Sequence, residues 1–143
     1  MIVLDVNVLL ATYRADHAHH ELVKPWFDAT FLPGADMVVP DLVWVGFLRI
    51  VTNNHVFEVP STLTEAFAFL DAVTSSPAYL TVPGLQSGWG AVREIAAEAD
   101  ARGNLVPDAY IAAVALTHAA PVATMDRDFR RFTGLKIVDP STP

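Results

Sequence analysis

Apolar and polar positions alternate along the chain in two rhythms. Short, nearly continuous apolar runs have strand length, and longer stretches repeat their apolar residues with helical spacing. The run IVLDVNVLL (2–10) predicts a short buried strand passing into a helix, with Asp5 near the strand's carboxyl end. HAHHELVKPWFDATF (17–31) has helical spacing with Pro25 as an irregularity, and DMVVP (36–40) predicts a second strand. Pro40-Asp41 opens the apolar helix LVWVGFLRIVTN (42–53). A loop containing Asn53, Asn54 and Pro60 leads into TLTEAFAFLDAVTS (62–75), where Leu63, Phe67 and Leu70 share one helical face. AYLTV (78–82) is a strand candidate, and GWGAVREIAAEADARG (88–103) is a helix that Gly103 is expected to end. A helix from Pro107, the strand PVAT (121–124), a short helix around RDFRRF (127–132) and the strand LKIV (135–138) complete the order.

Strands alternating with helices imply a three-layer α/β/α fold on a parallel sheet, with residues 1–143 forming a single domain. Such sheets bind ligands at the carboxyl ends of their strands. Asp5 falls at that end of the first strand, and Asp126 and Asp128 lie just past PVAT. Asp108 opens a helix that packs on the sheet, so it can face the same edge.

Composition narrows the function. Hydrophobic residues make up 52% of the chain, and the mean hydropathy is +0.36. That suits strands buried on both faces and an exposed apolar surface covered by a partner. No apolar run reaches the roughly 18 residues of a membrane span. The N-terminus lacks a positive start and a cleavage site and carries an acid within its apolar run, so it reads as structure. The absence of cysteine excludes disulfides and thiolate metal sites and fits a cytoplasmic protein. A net charge of −7 argues against broad nonspecific nucleic-acid binding, but not against an acidic metal pocket flanked by a few arginines.

Taken singly, most of the acids have ordinary explanations. Asp108 suits the first turn of a helix, where the dipole favours a carboxylate by ~0.3–1 kcal/mol. Asp126 suits an N-cap, and Asp128 a solvated partner of Arg130 or Arg131. Asp5 does not fit this pattern, because an acid inside IVLDVNVLL is costly to bury without a partner. Three or four carboxylates without cysteine or a convincing histidine set favour a hard ion, Mg²⁺ or Mn²⁺. That ion suits phosphodiester hydrolysis, since it lowers the pKa of an attacking water and neutralises phosphate charge.

IVLDVNVLL, PDLVWVGFLRIVTN, GNLVPDAYIAAVAL and ATMDRDFRRFTGLKIVDP, in that order, resemble a PIN-domain ribonuclease. More narrowly, they resemble a VapC-type toxin of a bacterial toxin–antitoxin pair, over essentially the whole chain. The resemblance implies Mg²⁺-dependent RNA cleavage, a homodimer, and inhibition by a VapB-type antitoxin. By position, Asp5 and Asp108 match the family's principal metal ligands. Asp126 matches the acid after the fourth strand, Asp128 is a further acid, and Asn7 and Thr124 match small polar positions beside the site. The family usually has a glutamate where this chain has Gly46. Asp41 does not replace it, because five residues at about 100° each place it roughly 140° round the helix. The expectation is therefore a single Mg²⁺ held by Asp5, Asp108 and one of Asp126 or Asp128.

Other signals point elsewhere or nowhere. His17 and His20 share a helical face but lack a third ligand, so they read as an exposed helix start. Trp44 lies in an apolar helix and reads as core or dimer interface. Among the arginines Arg49, after the middle helix's apolar run, is the first candidate for contacting RNA phosphate. A haloacid-dehalogenase-like phosphatase needs a second acid where this chain has Asn7, and a receiver domain needs adjacent acids and a lysine. A PIN-like binding module with weak or no catalysis is the remaining alternative.

Overall fold

In the computed structural model, which describes residues 1–82, 85 and 88–142, Asp5 is the single residue between the first strand and the first helix. β1 (Ile2–Leu4) is followed by α1 (Val6–Tyr13), α2 (His20–Phe31) and β2 (Met37–Val38). Next come α3 (Asp41–Val51), α4 (Leu63–Thr74), α5 (Gly90–Glu98) and α6 (Leu105–Thr117). β3 (Val122–Ala123), a 3-10 turn (Arg127–Arg131) and β4 (Ile137–Val138) complete the order. The four strands form one sheet in the order β2-β1-β3-β4, and every pairing is parallel. Val3 pairs with both Val38 and Val122, so β1 is an interior strand.

This order positions the site. The connection from β1 to β2 runs one way along the sheet, and the connection from β2 back to β3 runs the other. Helices α1 to α4 pack against one another, with α1 between α2 and α3, while α5 and α6 form a second pair in which α6 lies against β1 and β3, giving the layered α/β arrangement that the alternation predicts. Interior strands are covered on both sides, and Val3, Leu4, Val122 and Ala123 have no exposed surface. Beneath α3, Phe47 is packed by Tyr13, Trp44 and Phe69, with ring centroids 5.2–5.8 Å away.

Three elements differ from expectation. AYLTV does not form a strand. It makes one parallel bridge, Met37 to Tyr79, flanked by hydrogen bonds from Met37 N to Ala78 O (2.7 Å) and from Leu80 N to Met37 O (2.8 Å). β2 is only two residues long, so an outer neighbour has little ladder to extend. On α4 the buried positions are Ala66 and Val73, while Leu63 and Phe67 face outward. The inward face is Ala66, Phe69, Leu70 and Val73, with the Phe69 ring against Tyr13, Trp44 and Phe47, so of the predicted face only Leu70 packs on the core. Finally, α5 ends at Glu98, five residues before Gly103. Asp100 takes the left-handed conformation (φ 49°), and Asp100 N and Ala101 N donate to Ala97 O and Ala96 O, closing a Schellman motif without glycine. Helix α6 begins at Leu105, and Pro107 sits in its first turn, where no helical N–H is needed.

Candidate functional site

Asp5 is 4% exposed, yet three donors surround it. Val6 N donates to Oδ1 at 2.7 Å, while Asn7 Nδ2 (2.8 Å) and Thr124 Oγ1 (2.7 Å) donate to Oδ2. The first bond is also the N-cap of α1, so the strand-to-helix transition itself orients the carboxylate. Thr124, directly after β3, is a hub. Its hydroxyl also accepts from Asn7 Nδ2 at 3.1 Å and from Asp126 N at 3.0 Å. Asn7 Oδ1 accepts from Met125 N at 3.2 Å, tying the ends of β1 and β3 together. Asn7 therefore positions Asp5, and no acid stands there for phosphatase-type general-acid chemistry.

Asp108 enters from the first turn of α6 and is half-buried. Burial raises its carboxyl pKa from the ordinary 3.8 to about 7, reinforced by the charges of Asp5, Asp126 and Asp128. Burial also raises Asp5, opposed by its hydrogen bonds to Thr124 and Val6 and assisted by the charge of Asp126. Asp126 and Asp128 are exposed, and Asp126 Oδ1 accepts from Asp128 N at 2.9 Å, which caps the 3-10 turn. That is the ordinary cap reading for Asp126, and it leaves the second carboxylate oxygen outside the cap. Asp128 makes no ion pair with Arg130 or Arg131 among the described residues, and Arg131 instead donates to Ala99 O at 3.0 Å.

The four acids share one electrostatic field. Among the described residues, however, no three acidic or histidine groups stand close enough together, as placed, to hold a metal ion. The donor chemistry still suits a hard divalent ion: all oxygen, electrostatically coupled, and with one carboxyl that resists ionisation unless a positive charge compensates it. The histidine cluster offers no alternative. His20 Nδ1 lies 2.8 Å from Ala11 O, and His17 Nδ1 accepts from His19 N at 3.1 Å.

One part of the site was not legible in the sequence. A cleft of about 410 Å³ opens beside Asp5 and Asp108, bounded by Arg49 and by the bare backbone of Gly46. A Cβ at Gly46 would meet only Val6 Cγ2, at 3.7 Å, an ordinary contact. The only sequence signal was a lone glycine within an apolar helix.

The Asp108 pKa carries a pH signature. Its folded value lies above the unfolded one, so its stabilising contribution is complete below pH 4 and is lost as pH rises through about 7. In chelator, Asp108→Asn is expected to be more stable than the unmodified protein at pH 8, with the gap closing toward pH 4. The gain is roughly 1–2 kcal/mol, discounted for solvent screening because the group is only half-buried. Thermal denaturation at both pH values measures it; equal melting temperatures at pH 8 would contradict the coupling.

A parallel α/β sheet with carboxylates gathered at one carboxyl edge defines the class. The PIN domain profile matches residues 2–135, and the chain belongs to that family. Within the family the chain is of the VapC type. It is 47% identical to ribonuclease VapC31 of Mycobacterium tuberculosis over 141 residues, covering 98% of this chain and 99% of that protein. It is 45% identical to ribonuclease VapC25 of the same organism, with the same coverage. Among solved structures it resembles VapBC2 of Rickettsia felis bound to a promoter DNA fragment (TM-score 0.70, 17% identity, 96% of this chain and 98% of that one). A toxin–antitoxin complex from Klebsiella pneumoniae is also similar (TM-score 0.63, 15% identity, 98% of both chains). At these identities the structural likeness speaks for the fold. Among the described residues no helix is long and apolar enough to cross a membrane.

Proposed function

We propose that this protein is a Mg²⁺-dependent endoribonuclease, the toxin of a toxin–antitoxin pair, with Mn²⁺ able to substitute. The observation that carries the reading is Asp108, whose pKa is raised to about 7 by burial and by three neighbouring acids at one sheet edge. The full-length similarity to proteins named as VapC ribonucleases supports it. Asp5 and Asp108 would hold the ion, with Asp126 as the third carboxylate and Asp128 as a further acid. When bound, Mg²⁺ activates water for attack on a phosphodiester and neutralises charge on the phosphate oxygens. The chain itself supplies orientation. Asn7 and Thr124 fix one oxygen of Asp5, and α6 presents Asp108 from a rigid helical turn. Arg49, which makes no ion pair among the described residues, offers its guanidinium to an RNA phosphate.

Purified protein is expected to cut single-stranded RNA with Mg²⁺ or Mn²⁺ and to stop in EDTA, with activity restored by excess metal. Cleavage that persists in EDTA at matched purity would defeat the metal-dependent reading.

Exposed apolar residues, including Val45 at 65%, Val59 at 73% and Leu63 at 59%, support a second copy and a VapB-type antitoxin as partners. The acidic site calls for a basic inhibitory segment on that antitoxin. Deleting the segment is expected to relieve inhibition; a truncated antitoxin that inhibits equally well would contradict this.

A further inference from the structure

The cleft beside the acids has features that metal binding does not use. Its walls are aliphatic, formed by Val6, Leu42, Ile50, Pro107 and Ile111, and Gly46 leaves one side open down to the helix backbone. Asp5 and Asp108 lie on its border, so anything held there sits next to the reacting phosphodiester of the function proposed above. Arg49 borders it too, placing a cation that has no ion-pair partner among the described residues beside an apolar hollow. A flat apolar body joined to an anion matches that pairing, and in RNA this is a nucleobase attached to its phosphate. The volume falls within the roughly 300–1,000 Å³ of small-ligand sites.

We propose that the Gly46 cleft is a subsite for one unstacked nucleobase flanking the cut, with Arg49 on the neighbouring phosphate. Single-stranded RNA is commonly recognised through splayed bases held against side-chain faces. Aliphatic walls with few hydrogen-bonding groups hold a base by shape, so the subsite favours an unpaired nucleotide over a particular letter. A glutamate at position 46 would project a carboxylate from this helix face, whereas glycine leaves space. The inference rests on the ribonuclease reading, but it can fail separately.

The test uses a short labelled single-stranded RNA of mixed sequence, with cleavage sites mapped first, and a series carrying one abasic nucleotide each. On the unmodified protein, an abasic site at one position beside the cut is expected to lower kcat/KM at least ~10-fold, mainly through KM. Gly46→Leu, which fills the cleft and favours helix, should lose as much on intact RNA and lose nothing further on that abasic RNA. Circular dichroism confirms its folding, and the abasic series on the unmodified protein decides the matter if it misfolds. Insensitivity to every abasic position, or additive losses, would overturn the subsite. So would unchanged cleavage by Gly46→Leu with weakened antitoxin binding, which assigns the cleft to a protein side chain. Were the unmodified protein to cut no RNA with any metal, the ribonuclease reading would fall. Fluorescence anisotropy would then decide the subsite: intact RNA binding better than abasic RNA, and only with Gly46 present, upholds it, and equal binding rejects it.

Discussion

Asp108→Asn is expected to lower RNA cleavage at least ~10³-fold while the protein stays folded. Loss of one carboxylate from the proposed metal site would remove several kcal/mol of transition-state stabilisation, and each ~1.4 kcal/mol is tenfold in rate. Asp108 is the cleaner of the two principal positions. Its carboxylate has no side-chain hydrogen-bond partner among the described residues, so asparagine relieves repulsion and breaks nothing. Asp5→Asn should abolish cleavage equally but should not gain stability. Asp5 accepts on both oxygens, and an amide nitrogen at either place confronts a donor: Val6 N on one side, Asn7 and Thr124 on the other. Kinetics on both variants, with melting curves in chelator, separate these effects. Full activity in both would remove the acids from the mechanism.

Phe47→Ala is expected to cost about 3–5 kcal/mol, the range for deleting a large aromatic side chain from a close-packed interior. Phe47 is wholly buried, and Tyr13, Trp44 and Phe69 surround it, so the vacated volume cannot close without moving three rings. At roughly 3 °C per kcal/mol for a domain of this size, the melting temperature should fall by about 10–15 °C. Val45→Ala, two positions earlier and largely exposed, should change stability by less than about 0.5 kcal/mol. A small effect at Phe47 would mean that α3 is held by something other than this aromatic cluster. Because α3 also carries Gly46 and Arg49, the core beneath it fixes one wall of the cleft beside the acids.

Local pattern determined much of the architecture. The join between β1 and α1 was legible because an apolar run is interrupted at Asp5, whose side chain caps the helix that follows it. Helix α3 was legible from Pro40-Asp41 and its apolar repeat, and the 3-10 turn from Asp126 as its cap. The acids could be named because carboxylates at the margins of buried segments are expensive unless something compensates them. Where two local patterns competed, tertiary structure chose. On α4 the face carrying Ala66, Phe69, Leu70 and Val73 turned inward and left Leu63 and Phe67 exposed, because Phe69 packs into the Phe47 cluster, and Asp100 closed α5 before Gly103 was reached.

What only the folded chain decided is how the acids act together. Thr124 and Asp5 are 119 positions apart, and nothing near either residue announces their hydrogen bond; the parallel pairing of β1 with β3 creates it. The pKa of Asp108 depends on charges delivered by the end of β1 and by the loop after β3, together with burial supplied by packing. The cleft at Gly46 exists because α3, α6 and the start of α1 meet around a missing side chain. Periodicity and capping are properties of neighbouring residues, so a linear reading reaches them. Desolvation, charge coupling and empty volume arise between segments, and they take their values only when the sheet brings those segments together.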